Sequence, residues 1–191
     1  MIAAVAQLFR RELEEYLRRK ARLGASEEVV TLTHFVNAQG DLAIKANRVG
    51  LCLFNIDEER IMKNQGFVAT RNGERVTYFQ PEVRLNLYML FAANYAEYVT
   101  ALEYIGWTVG FFQRKRVFAA ANTPGMDPTM PEIAVDLYAM TLEQQNYLWT
   151  ILGAKYLPSV AYQVRPVVVQ EEEVELESAP VMEIDLRNAR R

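Results

Sequence analysis

The sequence predicts an α+β fold, a single domain in which a mixed or antiparallel sheet is flanked by about three helices. Stretches with apolar residues at spacings of three and four, the helical period, are interspersed with runs of β-branched and aromatic residues at the period of a strand. The chain has 191 residues, one domain's length, and 51% of them are hydrophobic and 11% aromatic. That is enough apolar material for a sizeable core and excludes wholesale disorder.

The first element is a helix over residues 2 to about 22. It carries Ile2, Val5, Phe9, Leu13, Tyr16 and Leu17 on one stripe and Arg10, Arg11, Arg18, Arg19, Lys20 and Arg22 largely elsewhere, and it ends near Gly24. Its basic residues are either a solvated face or a surface for an acidic partner. The opening Met1-Ile2-Ala3-Ala4-Val5 run resembles a signal peptide only in its apolarity. No cationic region precedes it and Arg10-Arg11-Glu12 follows directly, so it reads as helix. Strands are expected over Val29 to Val36, Leu42 to Ile56 and Arg75 to Phe79, separated by turn signals at Gln39-Gly40-Asp41 and Arg71-Asn72-Gly73. The second of these is apolar on both faces past Gly50, the pattern of a mid-sheet strand covered on both sides.

After Pro81, Val83, Leu85, Leu87, Met89 and Phe91 mark one face of a strand, with Asn86 and Tyr88 on the other. Tyr98, Leu102, Ile105, Val109 and Phe112 then repeat at helical spacing up to Arg114-Lys115-Arg116, a basic triplet suited to a helix C-terminus. Ala120 to Pro131, with three prolines and a glycine, is an ordered but irregular loop, and Ile133 to Tyr138 restores strand alternation. Thr141-Leu142-Glu143-Gln144 has the form of a capping box and opens a helix that Gly153 stops, its aromatics directed to the core. Tyr162 to Gln170 is the last expected strand of the domain, taken as residues 1–170.

Residues 171–191 form an acidic arm with seven acidic residues, among them Glu171, Glu172 and Glu173, against three arginines. Val174, Leu176, Val181, Ile184 and Leu186 are interspersed. Either the arm is a frayed tail or it adds a strand to the sheet edge of a neighbour.

Chemistry is bounded by scarcity. One cysteine, Cys52, and one histidine, His34, leave no material for an intramolecular disulfide or a Cys/His zinc site. Cys52 reads as a small core residue, and His34 stands in a strand-like run with no nucleophile elbow anywhere in the chain. Glycine-rich nucleotide loops and HExxH are absent, so no cofactor is implied. A formal charge of −3 argues against a nucleic-acid partner, and no apolar run approaches the ~20 residues of a membrane span. Asp57-Glu58-Glu59-Arg60 is the one carboxylate cluster suited to a divalent ion or acid/base work. A local Glu–Arg pair or helix N-terminus explains it more cheaply.

Several segments together resemble one family. Asn47-Arg48-Val49 and Leu51-Cys52-Leu53-Phe54-Asn55-Ile56-Asp57-Glu58-Glu59-Arg60 with Lys63-Asn64 are similar to the signature of the tail-terminator or cap proteins of extracellular contractile injection systems, phage-tail-like particles of the antifeeding-prophage type. The likeness continues through Leu85-Asn86-Leu87-Tyr88, Phe112-Gln113-Arg114-Lys115, Leu142-Glu143-Gln144 with Trp149, and Gly153-Ala154-Lys155-Tyr156-Leu157-Pro158, covering roughly residues 1–169. Tyr147 departs from the family pattern, where a histidine often stands.

The resemblance implies a structural protein without catalytic activity. Assembled in the cytoplasm, it would form a homo-oligomeric, six-membered ring on the distal end of inner tube and sheath, stop polymerisation and anchor the last sheath ring. The interface candidates are then Arg114, Lys115 and Arg116, the cluster Asp57, Glu58, Glu59 and Arg60, and the arm residues Glu171, Glu172, Glu173, Val174 and Leu176. Alternatives are an assembly chaperone or adaptor of the same particle, or a small metal-dependent hydrolase using Asp57, Glu58 and Glu59.

Overall fold

The computed structural model describes residues 1–59, 68–72, 75–79, 82–169 and 176–178, with the backbone alone described in 68–72, 75–79, 169 and 176–178. Its elements are α1 (Ile2–Ala21), β1 (Val30–Leu32), β2 (Arg48–Glu58), β3 (Val68–Asn72), β4 (Arg75–Phe79), β5 (Val83–Asn94), α2 (Tyr98–Arg114), β6 (Val117–Phe118), β7 (Ile133–Leu137), α3 (Leu142–Leu152), β8 (Ser159–Val169) and β9 (Leu176–Ser178). The main sheet has the order β1-β2-β5-β8-β7-β6. Its β1–β2 pair is parallel and its other pairs are antiparallel, so the α+β fold with a mixed sheet and three helices is the one expected.

The long central strand β5 determines the layers, because successive side chains leave a strand on opposite faces. Leu87, Met89, Phe91 and Ala93 point into a core shared with α1 and α2, through Phe9, Leu13, Tyr104, Phe111 and Phe112. Leu90 and Ala92 point the other way, into a second core with Phe35, Ile44, Cys52, Leu148 and Trp149. The sheet is therefore covered by α1 and α2 on one face and by α3 with the 33–47 loop on the other, as the two-sided apolarity of β2 requires. In the first core Phe112 lies within 4.4–6.3 Å, ring centre to ring centre, of Phe9, Phe91, Phe111, Phe118 and Tyr162.

Local signals explain most boundaries. Thr141 Oγ1 accepts from the Gln144 amide at 3.2 Å while Gln144 Oε1 accepts from the Thr141 amide at 3.0 Å, completing the capping box, and Gly153 ends α3 with φ 67°. The 120–131 loop is irregular and held by its own polar groups. Asn122 Oδ1 accepts from the Ala119 amide, and Asp127 Oδ1 accepts from the amide and hydroxyl of Thr129.

Several expectations need correction. α1 ends at Ala21, as expected, with Arg22 rather than a glycine in the left-handed conformation (φ 56°) at its C-cap. The first strand stops at Leu32, which leaves His34 exposed in a loop, and β2 begins at Arg48 rather than Leu42. Asn47, with φ 58°, cannot continue a strand backwards, so residues 42–47 instead fold beneath the sheet and bury Ile44. β8 starts at Ser159, three residues before the expected Tyr162. In α2 the buried face is Ala101, Tyr104, Thr108, Phe111 and Phe112, while Tyr98, Leu102 and Val109 of the expected stripe are exposed. Apolar residues surround this helix, so periodicity does not choose its inward side. Finally, β9 of the arm pairs antiparallel with β4 of its own chain, Leu176 opposite Tyr78, in a three-stranded sheet β3-β4-β9.

Candidate assembly surfaces

The carboxylate cluster lies at the end of β2, with Asp57 and Glu58 inside the strand rather than after it. Asp57 stands opposite Asn86 and Glu58 opposite Leu85 on β5. Neighbouring strand residues point to opposite faces, so these two carboxylates do not converge on one ion. Glu59 is fixed differently: its amide donates to the Arg84 carbonyl at 2.8 Å, and Asn86 Nδ2 donates to Glu59 Oε2 at 3.3 Å. Burial, and then the negative charge of Asp57, raise the pKa of the neighbouring Tyr88 hydroxyl. Among the described residues no group of three His, Cys, Asp or Glu side chains is placed to hold a metal. Arg60 lies outside the described residues, as do Glu171, Glu172, Glu173 and Val174.

The basic triplet divides into two kinds of residue. Lys115 is turned inward, its Nζ 2.8 Å from Glu12 Oε2 and 3.1 Å from the Asn122 carbonyl, above the Phe118 ring. Arg114 is exposed over the Tyr16 ring, 5.3 Å from its centre, and the exposed Arg116 donates to Gln113 Oε1 at 2.8 Å. Arg114 and Arg116 present charge to solvent while Lys115 ties α2 to α1. The Cys52 thiol is buried, and its pKa is raised by burial, which keeps it protonated and in the core.

Sequence reasoning did not single out Glu14. Its carboxylate, 4% exposed, accepts from the amides of Val29 and Val30 at 2.9 and 2.6 Å and pairs with Arg18 at 2.9 Å. It holds the start of β1 against α1. The signal available was the Glu14–Arg18 spacing of four, one among several such pairs on a charged helix. Large apolar side chains also lie open on two helices: Tyr98, Val99, Leu102 and Val109 on α2, and Leu142, Tyr147 and Ile151 on α3. Tyr147 is one of them, its hydroxyl donating to Glu143 Oε1 at 3.1 Å. No helix among the described residues is long and apolar enough to cross a membrane.

The fold is similar, with a TM-score of 0.65 and 16% identity over 96% of this chain, to the sheath/tube terminator of an extracellular contractile injection system, PVC, in its extended state. It is similar, with a TM-score of 0.60 and 14% identity over 94% of the chain, to the tube-terminating cap of the anti-feeding prophage. The chain belongs to the Pvc16 N-terminal domain family, which matches residues 4–183. It spans 61% and 58% of the lengths of those two structures. No curated protein sequence matches it.

Proposed function

We propose that this chain is a structural cap of a contractile injection system. Assembled in the cytoplasm as a homo-oligomeric, six-membered ring, it would sit on the distal end of inner tube and sheath. There it would end polymerisation and anchor the last sheath ring. The observation that carries the proposal is the family match over residues 4–183, joined to the shared fold of two terminators. The divided carboxylate cluster supports a structural over a hydrolytic role. A head-to-tail interface closes into a ring when its rotation divides the circle, and a ring holds its neighbours by several contacts at once, which suits a part that must resist contraction.

In this reading the exposed Arg114 and Arg116 are contacts within the assembly and the acidic arm from Glu171 onward is a contact to tube or sheath, and such charge contacts weaken as salt rises. The test is imaging of purified particles made with and without the chain. A density of ring shape at the distal end, with uncontrolled tube or sheath length in its absence, is the expected result. A chain needed for assembly but absent from finished particles would identify an assembly chaperone instead. Deletion of residues 171–191 tests the arm: capped particles of normal length would remove it from the mechanism.

A further inference from the structure

The open apolar faces of α2 and α3 lie on opposite sides of the molecule. α2 packs through Tyr104, Phe111 and Phe112 on the face of β5 that carries Met89 and Phe91, and α3 packs through Leu148 and Trp149 on the face that carries Leu90 and Ala92. Each helix therefore turns its outer side away from the other. Those outer sides are unusually apolar: Val99 is 67% exposed and Ile151 83%, with Leu102 one turn from the first, Val109 further along the same helix and Tyr147 one turn from the second. No rearrangement within one chain brings the two faces together, because the sheet stands between them.

We propose that the outer face of α2 is the docking surface for the outer face of α3 of a second copy of this chain, a front-to-back contact that repeats around the assembly. The inference names surfaces for the self-association proposed above, and rests on that part of the reading. Two apolar faces on opposite sides suit a heterologous interface, which uses both on every copy. A two-fold dimer through either face would leave the other bare.

Two further observations point to the partner and its direction. α2 is bordered by exposed acids at its start, Glu97 and Glu103, and by exposed arginines at its end, Arg114 and Arg116. α3 has exposed Glu143 in its first turn and exposed Lys155 just past its end. Antiparallel packing sets acid against base at both ends, whereas parallel packing sets like against like. The lengths agree, since Glu103 and Arg114 are 11 positions apart and α3 is 11 residues long, about 16 Å in each case. Gly106 sits mid-helix on the outer side of α2, where a Cβ would meet nothing of this chain within 4 Å. Glycine weakens a helix interior, and its use at an open position suits a site where another helix approaches closely.

The experiment measures the mass of the protein in solution across concentrations for the wild type, Leu102→Glu, Ile151→Glu and Gly106→Gln, with thermal melting of each. The wild type is expected to associate, and each substitution to weaken association by about 30-fold or more. The melting temperature of dissociated Gly106→Gln should be no lower than that of dissociated wild type, because glutamine is the better helix former. An equal mixture of Leu102→Glu and Ile151→Glu should stop at dimers, since each retains one intact face. A Leu102→Cys/Ile151→Cys variant should form disulfides between copies on oxidation, and Leu102→Cys/Glu143→Cys should not. A wild type that stays monomeric overturns the inference. So does association untouched by the three substitutions; if particles still carry the chain, the cap reading then survives and only these surfaces fall. Association abolished as expected in a chain missing from particles upholds the surfaces and removes the cap.

Discussion

Lys115 Nζ stands 2.8 Å from Glu12 Oε2, joining the end of α2 to the middle of α1 across 103 residues of chain. Both side chains are largely withdrawn from water, at 19% and 13% exposure, so the pair is screened less than a surface ion pair. The contact makes the middle of the basic triplet a folding residue and its two neighbours surface residues.

Lys115→Ala should therefore lower stability by about 1–2 kcal/mol, a fall in melting temperature of roughly 2–8 °C for a chain of this size. Arg114→Glu with Arg116→Glu should cost less than about 1 kcal/mol, since the Arg114 contact with the Tyr16 ring is an exposed cation–π pair. That double variant, with Lys115 intact, should reduce incorporation into particles. Calorimetry and the amount of chain recovered with purified particles measure the two effects separately. Incorporation unchanged by the double reversal would return Arg114 and Arg116 to the role of a helix end.

Glu14 makes a stronger prediction. Its carboxylate is the acceptor for two buried amides, so Glu14→Ala leaves both Val29 and Val30 N–H groups without their partner and should cost roughly 2–4 kcal/mol. Glu14→Gln retains one acceptor oxygen and should recover part of that loss. Hydrogen exchange at Val29 and Val30 is the direct measurement, with protection at these amides expected to fall before that of β5. Equal protection in wild type and Glu14→Ala would show that β1 is held by its pairing with β2 alone.

The contrast between these residues shows where the sequence was legible. Signals contained in a few consecutive residues identified their elements: the Thr141–Gln144 capping box, Gly153, the proline-rich 120–131 loop and the alternation of Val83 to Phe91 all appear as expected. Features set by long-range packing did not. Which side of α2 faces inward depends on a sheet formed by distant strands, and a helix apolar on every side gives no local clue. The strand at Leu176–Ser178 is short and lies amid glutamates, and only its partner β4 makes it a strand. Glu14 likewise looked like any other charge on a basic helix. Arg114 and Arg116 could be picked out in the sequence as charges at a helix end, while the open apolar faces of α2 and α3 required the layers to be known.

Alkaline pH should unfold the protein through a named residue. Tyr162 is 3% exposed against Phe91 and Phe112, and burial pushes its hydroxyl up to about 12 from an ordinary value near 10. The folded state thus holds a proton that the unfolded chain releases. Stability from this group is complete below pH ~10 and is lost as pH rises from there through 12, by about 2 kcal/mol at the upper end. Burial shifts Tyr95 in the same direction. Tyr162→Phe, which retains the ring, should move the midpoint of alkaline unfolding upward when ellipticity is followed against pH. An unchanged midpoint would place the alkaline weakness elsewhere.

Gly50 permits a test of the second core. A Cβ built there would lie 2.5 Å from Ile44 Cδ1, 2.6 Å from Ile44 Cγ1 and 3.2 Å from Phe35 Cε1, closer than packed carbons approach. The glycine is thus the reason that the 42–47 segment can lie flat beneath β2, and Gly50→Ala should push Ile44 outward at a cost of about 1–3 kcal/mol. The strain is pairwise, so it should be absent when the opposing side chain is shortened. Gly50→Ala in an Ile44→Ala background should cost much less than in the wild type, a coupling of about 1 kcal/mol or more in a double-mutant cycle. Urea unfolding of the four proteins measures it. Strictly additive effects would mean that β2 and the loop move apart together, and that Ile44 does not set the spacing between the sheet and its lower layer.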